Sequence, residues 1–159
     1  MSQKLKARRD RGLVVLAGVL PDLDGLTLLG GEELYGRWHH VLTHSAFSAV
    51  IICALLTAFA HERLKVFGLA LGAFHLHLFC DLLGSGPGWP ISYWQPFAPD
   101  EISWSGQWNL ASWQNSLIGL SATLLCLWCA MPYSRTVVEL FSLKADAAVV
   151  KTLKKRFAR

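Results

Sequence analysis

Charge is what this sequence has least of. Only 16% of its 159 residues are Asp, Glu, Lys or Arg while 53% are hydrophobic, against roughly 25% charged in an ordinary soluble domain. A soluble fold of this size would have too little charge to cover its surface, so the surplus of apolar side chains calls for a lipid-facing one. Usable cysteine chemistry is also scarce. Cys53, Cys80, Cys126 and Cys129 all fall in apolar runs. Cys126 and Cys129 have CxxC spacing without a second pair, which makes them packing residues rather than a metal clip. The basic and apolar start, MSQKLKARRDR followed by GLVVLAGVL, lacks a small-residue cleavage pattern, so it is expected to insert uncleaved. Internal repeats and low-complexity segments are absent, and residues 85–113 contain neither Lys nor Arg.

What is present is a set of hydrophobic runs at about 12–30, 45–60, 66–84 and 115–132, each near the ~17–25 residues that cross a bilayer as a helix. The expected fold is all-α, a polytopic membrane protein with about four transmembrane helices. It is read as a single membrane-embedded domain over residues 1–159, with a core at 12–132 and a cytoplasmic basic tail at 133–159. A buried soluble bundle is the rival, because two of the runs are short and carry ionisable residues.

Two independent patterns favour the membrane. On a four-crossing layout, 14 of the 15 Lys and Arg fall on one side and only Arg37 on the other. That asymmetry marks the cytoplasmic side, so both termini are expected there, and the net charge of +4 is read as contact with anionic lipid, with no nucleic-acid partner. Six of the seven Trp (38, 89, 94, 104, 108 and 113) lie in the outer segments, as expected for rings that prefer the interface.

Pro21 interrupts the first run, because proline lacks an N–H and disfavours helix at the residue before it, so a kink or break is expected near Val19 to Pro21. Such a break inside a bilayer must be buried in protein or line a wet cavity. Gly68 and Gly72 in the third run have a spacing that suits close helix packing. The Gly-, Pro-, Trp- and Ser-rich stretch 85–113 is expected as an ordered outer loop over the site, with room for a short interfacial helix. Val138, Phe141, Val149, Leu153 and Phe157 alternate with lysines and Arg156, which predicts an amphipathic helix over 137–157 on the inner leaflet.

Acids and imidazoles inside a bilayer are costly, and they are usually paired and functional. Asp22, Asp24, His77 and Asp81 lie within the runs, with His39, His40 and His44 just beyond their ends. At ~1.5 Å per helical residue, Asp22 is about 17 Å from Arg11, His77 and Asp81 about 18 and 24 Å from Lys65, and His44 about 26 Å from His61. The three segments therefore meet at similar depth. His77 and Asp81 share one helical face at i, i+4, as do His40 and His44 if that stretch is helical, whereas joining His39 to His44 requires a bend. A hydrogen-bonded His–Asp pair is the plainer explanation of HxxxD alone. Asp22 and Asp24 flank one residue and would repel unless a cation neutralised them. The mixed N/O donor set suits Zn²⁺, with Mn²⁺ or Fe²⁺ as alternatives, and is large enough for one or two ions.

The three segments PDLD at 21–24, HHVLTHS at 39–45 and LGAFHLHLFCDLLGSG at 71–86 together resemble the YdjM-type family of inner-membrane, metal-dependent hydrolases. Its pattern is PDxD, then HRGxTHS, then an HxxxD helix, and the likeness covers roughly residues 12–100. By position, the resemblance implies Asp22, Asp24, His39, His44, His77 and Asp81 as metal ligands. His75 lies outside the pattern. His40-Val41 stands where the family usually has Arg-Gly, which makes His40 or Arg37 the candidate for contacting an anionic substrate.

The resulting expectation is a bacterial-type inner-membrane enzyme whose site faces the outer leaflet. It would cleave an ester or phosphoester of an amphiphilic or lipid-linked substrate. Asp24 or Asp81 would act as base, with His40 as a further catalytic residue. The alternatives are a metal-binding or transporting membrane protein without turnover, and a structural protein locked by His–Asp pairs.

Overall fold

The computed structural model describes residues 2–157 and is built from helices. The α-helices are α1 (Arg8–Ala17), α2 (Glu32–Trp38), α3 (Ala46–Ala58), α4 (Arg63–Gly84), α5 (Trp113–Tyr133) and α6 (Leu143–Phe157). A 3₁₀ segment, Leu20–Gly30, follows α1. Among the described residues the only strand-like pairing is an isolated antiparallel bridge between Ile91 and Ile102. The chain divides into two compact units, Met1–Leu110 and Ala111–Arg159, and the candidate site lies wholly in the first.

The expected break in the first run is present. α1 ends at Ala17, and the 3₁₀ segment leaves at 54° to it, with Pro21 in its opening turn. Eleven residues of 3₁₀ helix is long for a form whose hydrogen bonds are poorly aligned. It turns Asp22 and Asp24 away from the line of α1.

The count of about four crossings is approximate. α4 and α5 are long and apolar enough to span a membrane, and α1 with its bent 3₁₀ partner counts as a third when taken together. α3 falls short, because its 13 residues rise about 20 Å against a hydrocarbon core of ~30 Å. The residues ahead of it, Thr43 to Ser45, are not helical, and the helix starts at Ala46 with Ser45 as its cap. The C-terminal amphipathic helix is also shorter than expected. It begins at Leu143, and Val137–Leu140 forms a separate 3₁₀ turn. No helix is assigned in the loop 85–112.

α4 is the centre of the first unit, with α1 and α3 packed against it. Ala17, Ala49, Cys53, Ala70, Phe74 and Leu78 form the core between them, joined by Ile91 from the loop. Small residues at 17, 49 and 70 let the three backbones approach. Gly68 and Gly72 do not serve this packing, since a Cβ at either would meet nothing within 4 Å.

The start of α4 is tied to α1 by a carboxylate from outside its own helix. Asp10 is fully buried and accepts from the His61 and Glu62 N–H groups at 3.0 and 2.8 Å, the N–H of the N-cap residue of α4 and of the residue before it. Arg11 donates to the Leu5 and Lys6 carbonyls alongside. The register of α1 on α4, and with it the depth of Asp22 relative to His77, is set at this end.

In the second unit, α5 exposes Leu117, Ile118, Leu120, Leu124, Leu125 and Trp128, an apolar surface suited to lipid. Asp146 of α6 accepts from the Thr136 N–H at 2.7 Å and from its hydroxyl at 2.6 Å.

Candidate metal centre

The break after α1 frees a carbonyl. Gly18 O accepts a hydrogen bond from His77 Nδ1 at 2.9 Å, so the His77 proton sits on Nδ1 and the Nε2 lone pair points away from the backbone. His77 Nε2 then lies 3.3 Å from Asp22 Oδ1 and 3.1 Å from Asp81 Oδ2.

His44 reaches the same place from the opposite side. Its ring is fully buried, and its Nδ1 donates to Asp24 Oδ2 at 3.0 Å. That bond directs Nε2 to within 3.4 Å of Asp81 Oδ2 and 3.9 Å of Asp22 Oδ1. Four atoms thus form a closed ring in which imidazole nitrogen and carboxylate oxygen alternate. Donors ~2.0–2.1 Å from a tetrahedral Zn²⁺ are about 3.3–3.4 Å apart, close to the separations found.

The state of these atoms is what the alternatives, a metal centre or a hydrogen-bonded His–Asp cluster, turn on. His44 Nε2, His77 Nε2 and Asp81 Oδ2 are all buried without a hydrogen-bond partner. Buried polar atoms left unpaired are rare, and each costs about 1–3 kcal/mol. With both Nδ1 protons committed elsewhere, these converging atoms need added positive charge between them, which either a proton on one imidazole or a divalent cation supplies.

Asp24 does a different job. One oxygen accepts from His39 Nδ1 at 2.8 Å, and the other from His44 Nδ1 and from the Thr43 N–H at 3.3 Å. Both oxygens are therefore engaged in orienting imidazoles, the role that carboxylates commonly play behind histidine ligands. His39 is likewise set back from the four converging atoms. Its ring stacks on Tyr35 at 4.5 Å and lines a cleft of about 690 Å³ together with Asp22, Tyr35, His40, Asp81 and Trp89. Of the six residues expected as ligands, the structure gathers Asp22, His44, His77 and Asp81 at one point and pairs Asp24 with His39 behind them.

Residues 39–45 are not helical, so His40 and His44 do not share a helical face. The bend between His39 and His44 is made at His40, whose φ of 65° is the left-handed conformation. Burial, then the neighbouring His44 and His39, push the His40 imidazole down to about 4, which keeps it neutral at pH 7. Arg37 does not enter this cleft; it pairs with Glu33 at 3.6 Å on the exposed face of α2. His75 is apart from the cluster, bonded to Leu71 O and the Tyr93 hydroxyl.

Several contributors left little trace in the sequence. Gly18 acts through a carbonyl, which any residue supplies. The Thr43 hydroxyl donates to Pro21 O and joins the two motif segments. Gln107 is buried and donates to Asp81 O at 3.0 Å and Trp89 O at 3.2 Å, and the Trp108 N–H donates to Leu83 O at 3.0 Å. The loop thereby caps the last turn of α4 and holds Trp89 at the cleft. Ser92 N–H bonds His40 O and Ala46 N–H bonds Tyr93 O, so the same loop braces the histidine segment.

Helices able to span a bilayer, together with a buried cluster of histidine and aspartate at a break, define a helical membrane protein with a polar centre. Comparison with known families makes this specific: the chain matches the profile of the YdjM inner membrane protein family over residues 2–153. It belongs to that family. Neither a curated protein nor a solved structure matches it.

Proposed function

We propose that this protein is a membrane-bound, metal-dependent hydrolase that cleaves an ester or phosphoester of a lipid or lipid-linked substrate. The observation that carries the reading is the convergence of His44 Nε2, His77 Nε2 and Asp81 Oδ2, buried and unpaired, beside Asp22 Oδ1. Zn²⁺ suits these donors best, with Mn²⁺ or Fe²⁺ as alternatives. Such an ion polarises the scissile oxygen and lowers the pKa of water toward neutrality.

The chain's own groups then divide the remaining work. His39 is held by Asp24 through Nδ1 and borders the cleft, so its Nε2 is the acceptor for the proton of the attacking water, oriented by Asp24 as a base is by its carboxylate partner. Both oxygens of Asp24 are already occupied by imidazoles, so it supports the base rather than acting as one. Tyr35 and Trp89 form an aromatic wall for an amphiphilic substrate. The cleft takes its polar lining from neutral and acidic side chains, which favours a singly charged or neutral ester over a doubly charged phosphomonoester.

A transporter would need polar groups continuing along α4 toward its basic end. Val66, Ala70 and Phe74, which lie there, are fully buried and apolar. The basic side is taken as cytoplasmic for both termini, with the site toward the outer leaflet; a fluorescent reporter fused after Arg159 should mature, and a dark reporter would reverse the orientation.

Metal analysis of purified wild type, His77→Ala and Asp22→Ala tests the centre. Bound metal should fall in both variants while helix content is unchanged. Hydrolysis of a panel of lipid phosphoesters should stop on chelation, and activity indifferent to chelator would remove the mechanism.

A further inference from the structure

We propose that His40 creates a second cation subsite beside the first, with the Asp81 carboxylate shared between them. This rests on the metal reading above and adds an ion to it. His40 is 97% buried, as its exposure is 3%, and its Nδ1 is buried without a hydrogen-bond partner. A ring nitrogen of His40 lies within 4.8 Å of ligand atoms of His44 and Asp81. That grouping shares His44 with the one formed by Asp22, His44 and His77; because His44 Nδ1 is held by Asp24 and its Nε2 serves the first ion, the second would rest on His40 and Asp81.

The backbone shows that the ring is placed deliberately. A left-handed conformation in a residue other than glycine is uncommon, and it persists where the surroundings impose it, frequently at functional sites. At His40 the imposing contact is visible, since its carbonyl accepts the Ser92 N–H at 3.1 Å. The ring packs at 4.5 Å from His44 and 4.4 Å from His39, centroid to centroid, and neither of the acids near it, Asp81 and Asp24, takes its Nδ1. An ordinary core histidine would have found a partner for Nδ1.

Asp81 can serve both subsites because a carboxylate has two oxygens, of which Oδ2 faces His77 and His44. His40 and Asp81 also line the open cleft, so a second ion held by few protein groups would keep positions for water or for a substrate oxygen. Two-ion centres of this kind stabilise attacking and leaving oxygens together. The second ion is expected to bind more weakly than the first, since fewer side chains hold it.

The test uses metal-free full-length protein in detergent micelles, titrated with Zn²⁺ and read by elemental analysis after gel filtration. Wild type should retain two ions per chain at saturation. His40→Asn, which tolerates the left-handed backbone, should retain one, with the affinity for that ion within about threefold of wild type. Loading with Mn²⁺ adds a spectroscopic check: an exchange-coupled signal in wild type should be lost in His40→Asn. One ion in wild type, or two in His40→Asn, would overturn the second subsite while leaving the hydrolase reading intact. No bound ion in wild type would overturn both. Loss of every ion in His40→Asn and also in His40→Gly, with helix content retained, would place His40 in the first group and likewise refute the proposal.

Discussion

Replacing Asp24 by Asn tests whether this carboxylate is a ligand or a support. Its Oδ2 position accepts two donors, His44 Nδ1 and the Thr43 N–H, whereas Oδ1 accepts one, from His39 Nδ1. An amide carbonyl can satisfy the first pair, so the amide NH₂ is expected to turn toward His39. There it must donate, which drives the His39 proton from Nδ1 to Nε2 and removes the lone pair assigned to take a proton in hydrolysis. His44 keeps its tautomer, and its Nε2 remains able to ligate. The supporting carboxylate behind metal-bound histidines is typically worth 10–100-fold in affinity. Because half of that support survives, a loss of about tenfold, ~1.4 kcal/mol, is expected. Turnover should fall much further, by about 10⁴ if the effect matches the tautomer reversal seen when a catalytic-triad Asp becomes Asn. Metal affinity by competition with a chromophoric chelator and chelator-sensitive phosphodiesterase activity measure the two separately. A drop in affinity beyond ~10³ with helix content intact would make Asp24 a ligand, and turnover close to wild type would refute the His39 assignment.

Two further outcomes follow from contacts away from the ion. Asp10→Ala removes the acceptor for two N–H groups at the start of α4 and should cost about 1–2 kcal/mol, as lost helix caps do; it is read as a lower Tm in detergent, and an unchanged Tm would show that the contact adds no stability. Gln107→Ala should release the loop from the end of α4, with faster amide exchange around Trp89 and metal affinity within about threefold; unchanged exchange would show that other contacts hold the loop.

Much of the site was legible because each segment carries its own short-range signal. Pro21 announced the break, and the i, i+4 spacing placed His77 and Asp81 on one face of α4. Of the six donors expected from motif order, Asp22, His44, His77 and Asp81 converge, whereas Asp24 and His39 pair with each other instead. Less legible was the division of labour within the motifs. Asp22 and Asp24 are both acids two residues apart, yet one faces the Nε2 atoms of His44 and His77 and the other sits behind two histidines. That difference arises from the 3₁₀ path and from Thr43 bonding Pro21, contacts made across about twenty residues of chain. The start of α3 at Ala46 has a related reason: Thr43 and His44 are held out of the helix by their bonds to Asp24 and Pro21, while apolar composition marks only where a helix is allowed.

By itself, the sequence determined that the chain is helical, apolar enough for a membrane, and supplied with imidazoles and carboxylates in three segments, because composition and periodicity are local properties. Only the tertiary structure decided which nitrogen of each histidine is free, since that depends on where the partner of the other nitrogen lies: Gly18 O for His77 and Asp24 for His44. Those partners come from other segments of the chain, so spacing within one segment carries no trace of them.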